Sequence, residues 1–181
     1  MKTFLLGVLI GVALLLAAVV GYFLSGNAPV ATDAPPMPME KYLAKKALHA
    51  VLDREMPKTV PIPADEANYL AGAQLYKDNC AVCHGLPGLA STAIARGMFP
   101  KPPELMQGKG VTDDEPGETY WKVTHGIRLT GMPGFRGALT ETQAWQVSIL
   151  LANANRLPDA VKALLANPAP QASPTAVKGV L

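Results

Sequence analysis

The sequence predicts an all-α protein: a small helical domain preceded by an N-terminal transmembrane helix. Three observations carry this. Phe4 to Leu24 is an unbroken run of 21 uncharged residues. Three later segments carry helix-start signals, and the second also ends at a glycine. Nowhere does apolar/polar alternation of period two run long enough for a sheet. The expected organisation is residues 1–24 as anchor or signal peptide, 25–63 as a Pro-rich linker containing an amphipathic helix at 40–56, 64–165 as the folded domain, and 166–181 as a disordered tail.

As a helix, Phe4–Leu24 spans about 31 Å, enough for a bilayer's hydrocarbon core. A secretory signal usually has a shorter apolar part, of roughly 7–15 residues, and "SGNAPVATDAPP" lacks a clean small-x-small cleavage site. The anchor is therefore favoured over a signal peptide. Lys2 precedes the span and Lys41 is the first lysine after it, which predicts a cytoplasmic N-terminus. Gly7, Gly11 and Ala18 offer a small-residue face for another membrane helix, although glycine is common in such helices anyway.

Residues 25–39 are rich in Pro and Ala without periodicity and suit an extended tether. In 40–56, Leu43, Ala44, Ala47, Leu48, Val51, Leu52 and Met56 fall on one stripe. This helix is expected to pack on the domain or on a partner, with His49 facing solvent. "PKTVPIP" (57–63) is a second connector. The domain helices follow. The first is 65–83, with Asp65 and Glu66 at its N-terminal end. The second is 115–126, with Pro116 in its first turn and Gly126 at its close. The third is 140–155, where Thr140 and Gln143 make a capping box and Trp145, Ile149 and Ala152 face inward. A turn or two of helix is expected within 89–96.

"NCAVCHG" (79–85) holds both cysteines of the chain. A Cys-x-x-Cys pair suits a thioredoxin-like redox site, half of a zinc site or, with His next, covalent haem attachment. Zinc needs more ligands than Cys80, Cys83 and His84 can wrap around one small ion. A redox disulfide leaves His84 unused and expects a preceding strand. Haem uses all three: one thiol for each vinyl group, His84 to coordinate iron, and Gly85 to let the chain turn away. The second iron ligand is expected to be Met132, on the stiff, non-helical "LTGMPGF". Met98 and Met106 lie close to His84 in sequence for reaching the opposite face. His125, at a helix end, is the rival.

These features resemble the class I cytochrome c family over about residues 64–156: "CAVCH" on the first helix, a Pro-rich loop, "GMPGF" and a closing helix with an inward aromatic. Gly72 and Tyr76 match the family's first-helix Gly-x-x-x-aromatic, and Trp145 is the candidate aromatic on the last helix. The resemblance implies a small α-helical wrap around one covalently bound haem c. It also implies a proline carbonyl holding the N–H of His84, with Pro100, Pro102 and Pro103 all available, and a single-electron carrier rather than an enzyme.

The expected partners are redox protein donors and acceptors and the membrane. A net charge of +2 with no basic stripe argues against nucleic acid, and no small-molecule substrate is expected. Covalent haem attachment and the charge flanks together predict a single-pass protein of the bacterial inner membrane with its domain on the periplasmic side. Three alternatives stand beside the carrier. One is a cytochrome subunit of a membrane dehydrogenase or terminal-oxidase complex. Another is a thiol-disulfide oxidoreductase. The last is a haem sensor or peroxidase, which would need an open iron site.

Overall fold

The computed structural model describes residues 1–106 and 114–167, and every described element is helical. The expected tail from 168 onward lies outside the described residues. The chain divides into two compact units at Lys45/Lys46.

In the first unit, α1 (Lys2–Leu24) is a single helix, exposed along its whole length. It is long and apolar enough to cross a membrane. The positions that a Cβ would occupy at Gly7 and Gly11 meet nothing within 4 Å. Ser25 ends the helix by donating its hydroxyl to the Tyr22 carbonyl at 2.7 Å. The helix α2 (Glu40–Glu55) begins in this unit and runs into the second.

The predicted stripe on α2 is buried only in its C-terminal half. Leu43, Ala44 and Ala47 are exposed, Leu48 and Val51 are half-buried and Leu52 is 1% exposed. Periodicity alone therefore overstated the burial of this stripe. His49 is exposed.

The second unit is built on α3 (Glu66–Asn79), α6 (Pro116–His125) and α7 (Glu141–Ala152), with short helices α4 (Ala81–His84) and α5 (Ala93–Arg96) between. The side chain of Asp65 caps α3 by accepting from Asn68 N–H at 2.9 Å. The single helix expected over 65–83 breaks at Cys80, whose backbone closes α3 and opens α4. Pro116 starts α6, and Gly126 ends it with φ +70°. Both bonds of the capping box on α7 form: Gln143 N–H to Thr140 Oγ1 at 3.2 Å and Thr140 N–H to Gln143 Oε1 at 2.8 Å.

Helices α3 and α7 cross at Gly72. A Cβ there would lie 2.3 Å from the Gln146 carbonyl oxygen, so only glycine lets the backbones approach this closely. Gln146 Nε2 donates to Asn68 Oδ1 at 3.0 Å beside the crossing. Tyr76, one turn on, is fully buried and donates its hydroxyl to the Gly85 carbonyl at 2.8 Å.

Trp145 stacks on Tyr120 of α6 at 4.2 Å. Because α7 packs against both α3 and α6, Val147, Ser148, Leu150 and Leu151 are buried along with Trp145 and Ile149. The single inward face expected from sequence was too narrow.

One more helix, α8 (Asp159–Ala166), was not anticipated. It buries Val161 and Leu165, packs on α3 and receives a bond from Lys77 Nζ to the Leu164 carbonyl at 3.0 Å. Ala166, the first residue of the expected tail, is its last residue.

Candidate functional site

A predominantly apolar cleft opens between the corner of α3 and α4, the Pro-rich loop after α5, the helices α6 and α7, and the loop after α6. All four residues expected to hold the cofactor line it: Cys80, Cys83, His84 and Met132.

The proximal wall is made by local hydrogen bonding. Cys83 N–H and His84 N–H both donate to the Cys80 carbonyl, at 3.0 and 2.9 Å, and Gly85 N–H donates to Ala81 O at 2.9 Å. The two thiols therefore sit one turn apart, and the imidazole follows directly. Gly85, with φ +75°, then takes the chain out of the helix. Burial, followed by the neighbouring Cys83, pushes the Cys80 thiol up to about 12.

His84 Nδ1 lies 2.8 Å from the Pro103 carbonyl, which selects one proline from the three that sequence left open. A carbonyl only accepts, so Nδ1 carries the proton and Nε2 keeps its lone pair for a metal. Burial lowers the pKa of His84, and the bond to Pro103 partly opposes this. The neutral, coordinating form is thus favoured.

The distal wall is a loop closed by tertiary contacts. Phe135 N–H donates to Val123 O at 2.9 Å and Arg136 N–H to Thr124 O at 3.2 Å, returning the chain to the end of α6. At the neck of the loop two glycines meet. A Cβ on Gly126 would lie 2.5 Å from Gly134 N, and one on Gly134 would lie 2.7 Å from the His125 carbonyl. Inside the loop, Met132 N–H donates to Thr130 Oγ1 at 3.1 Å, and Met132 O accepts from Ile127 N–H at 3.2 Å.

His125 is placed elsewhere. It does not line the cleft, and its ring stacks on Trp121 at 4.6 Å. Its Nδ1 lies 3.1 Å from the Trp121 carbonyl, and its Nε2 lies 2.6 Å from Arg136 Nη2. Met106 packs against the core instead of lining the cleft. Met98 does line it, although its nearness to His84 in sequence had counted against it.

Leu48 and Lys122 are further lining residues that sequence did not single out. Lys122 is bonded to Asp114 Oδ2 at 2.7 Å and to Glu118 Oε1 at 2.6 Å. Burial alone would lower its pKa, but these two carboxylates outweigh burial and raise it. The i,i+4 spacing of Glu118 and Lys122 was the available sequence signal for this pair.

The donor set fits haem c: two thiols one helical turn apart, a neutral imidazole with its outer nitrogen fixed, a thioether sulfur and apolar walls. Among the described residues, no group of three or more His, Cys, Asp or Glu side chains is placed to hold a metal ion without such a cofactor.

Residues 67–149 match the family model described as cytochrome C oxidase, cbb3-type, subunit III. No curated protein matches the chain. Among solved structures, a chain of the Kuenenia stuttgartiensis reducing HAO-like protein complex Kustc0457/Kustc0458 is 25% identical, with a TM-score of 0.45 over 57% of this chain. This chain spans 53% of that one's length. The domain is thus an all-helical, electron-transferring c-type cytochrome domain that carries covalently bound haem c. The match over these residues supports the class I cytochrome c family for this domain.

Proposed function

We propose that this protein is a membrane-anchored single-electron carrier whose cytochrome domain lies on the periplasmic side and exchanges electrons with other redox proteins. In this reading Cys80 and Cys83 form the two thioethers, and His84 and Met132 are the axial ligands. One cleft carries all four groups, and that observation carries the proposal. The bound haem supplies a reversible one-electron iron couple.

The chain's own residues do the rest. Pro103 fixes the tautomer and the direction of His84. The apolar walls limit water. The closed loop presents a soft sulfur, which favours reduced iron. With His84 and Met132 both holding the iron, the site would be suited to electron transfer and not to binding oxygen or peroxide. The apolar α1 supports anchoring, and Lys2 ahead of it supports a cytoplasmic N-terminus.

A second reading makes the chain a permanent subunit of a terminal-oxidase complex, and the description of the matching family favours it. Native gel electrophoresis after mild detergent extraction separates the two: a lone haem-stained band supports the carrier, and co-migration with a larger assembly supports the subunit. The ligand assignment is tested by the weak near-infrared sulfur-to-iron band of the oxidised protein. It should be present in the wild type and absent in Met132→Ala. Its survival in that variant would remove Met132 from the site.

A further inference from the structure

The short helix α5 and the residues after it make contacts that electron carriage alone does not explain. Thr92 begins the segment. Its hydroxyl accepts from Ala95 N–H at 3.1 Å, capping α5, and donates to the carbonyl of Val82 at 2.6 Å. Val82 lies between Cys80 and Cys83, so one end of the segment is fastened to the attachment turn. The other end is Met98. Its side chain enters the cleft, and its methyl group lies only 1.9 Å from where a Cβ on Gly131 would sit. Gly131 directly precedes Met132. Residues 92–98 therefore run from the proximal wall to the ligand loop.

We propose that Met98 is a positioning residue for Met132: the 92–98 strap, anchored at Val82, presses Met98 against Gly131 and holds the ligand loop closed over the cleft. Three features support this. First, the bonds and glycine contacts that tie the loop to α6 lie at its neck, at 123–126 and 134–136, whereas the bonds around Gly131, from Ile127 N–H to Met132 O and from Met132 N–H to Thr130 Oγ1, stay within the loop, so an outside support acts there with most leverage. Second, glycine at 131 leaves the space that Met98 fills, so the two positions are sterically matched. Third, an unbranched, adaptable thioether chain fills an irregular gap between two loops well. The role is one of packing. It needs the volume of Met98, not its sulfur.

The proposal rests on Met132 being the axial ligand, and the test separates the two. The haem-loaded full-length protein in detergent is oxidised and mixed with imidazole, which takes the sixth position only after the Met132 sulfur has left iron. The visible spectrum follows the exchange, and the near-infrared band reports sulfur ligation before imidazole is added. Met98→Ala should keep the band while imidazole uptake quickens by about tenfold. Met98→Leu, which restores most of the volume without sulfur, should return the rate to within about threefold of the wild type. Gly131→Ala drives Met98 out of its place without removing it, and should also quicken uptake. This variant tests the contact if Met98→Ala folds poorly.

Unchanged uptake in both Met98→Ala and Gly131→Ala overturns the proposal and leaves the Met132 assignment intact. A fast rate in Met98→Leu, equal to that in Met98→Ala, overturns the packing role. Loss of the band in Met98→Ala together with its survival in Met132→Ala would make Met98 the ligand and overturn both assignments.

Discussion

The two walls of the cleft are built by opposite means. The segment 79–85 organises itself: each bond that sets the spacing of Cys80, Cys83 and His84 joins residues within four positions. The loop 126–135 has no such local repeat. Besides a few internal bonds among Ile127, Thr130 and Met132, it is closed by Gly126 meeting Gly134 and by Phe135 and Arg136 bonding back to α6, and Met98 from another part of the chain lies beside Gly131. On the proposed assignment, capture of the cofactor would belong to a locally encoded turn, and completion of the iron site to tertiary structure. Damage to the first should abolish loading, whereas damage to the second should leave a loaded protein with altered electronic properties.

The largest effect is expected on the local wall. Replacing both Cys80 and Cys83 by Ala should leave no covalently attached haem, and either single change should leave one thioether at most. Mass spectrometry of the purified chains, with a pyridine haemochrome spectrum, measures this. An unchanged haem adduct in the double variant would refute the attachment assignment and revive the thiol-disulfide alternative.

Met132→Ala on the tertiary wall should spare the thioethers but lower the reduction potential by well over about 59 mV, the shift for one tenfold change in relative affinity. Spectroelectrochemical titration beside the wild type decides it. A potential within a few millivolts of the wild type contradicts the contrast between the walls.

Gly126→Ala should act more gently and on the same side. A side chain there meets both a positive φ and a Cβ placed 2.5 Å from Gly134 N, a combined cost of about 2 kcal/mol or more. The near-infrared band should then melt at a lower temperature than helical circular dichroism does, because the loop opens before the helices separate. Coincident melting of the two signals would show that the loop is not an independent weak point.

The smallest effect concerns Lys122 at the rim. Asp114 and Glu118 raise its folded pKa above the ordinary lysine value, despite burial pulling the other way. Stabilisation from this group is complete below about pH 10.5 and is lost as pH rises through the folded pKa. Lys122→Met should remove that alkaline loss without disturbing the cleft residues Cys80, Cys83, His84 and Met132. Urea melts between pH 9 and 11.5 compare the two proteins, and equal slopes would show that Lys122 contributes nothing there.

The same division explains what could be seen in the sequence. The attachment turn, the capping box at Thr140 and Gln143, and the start of α6 at Pro116 are short-range features, and each left a local signature. So did Met132, through the Gly and Pro residues that keep its loop out of a helix. The proline that orients His84 left none: Pro100, Pro102 and Pro103 differ only in where the folded chain carries their carbonyls. Met98 was hidden because nearness in sequence suggested nearness to the proximal side, whereas a short capped helix carries it across. The helix α8 has only eight residues, too few to stand alone, and depends on packing against α3. The exposed first half of the stripe on α2 shows the converse, since a helical period records what could be buried and not what is.

The closed neck at Gly126 and Gly134 also bears on speed. Part of the barrier to moving an electron is the work of shifting ligands and nearby dipoles between the positions that the two oxidation states prefer. A thioether on an open, wandering loop would add large motions to that work on every turnover. With Met132 as ligand, a neck shut by backbone-to-backbone contact, which no side-chain rotation can loosen, leaves the sulfur little room to move. On that assignment, the glycine pair would serve as a device for low reorganisation energy, limiting how far the sulfur moves as the iron changes oxidation state.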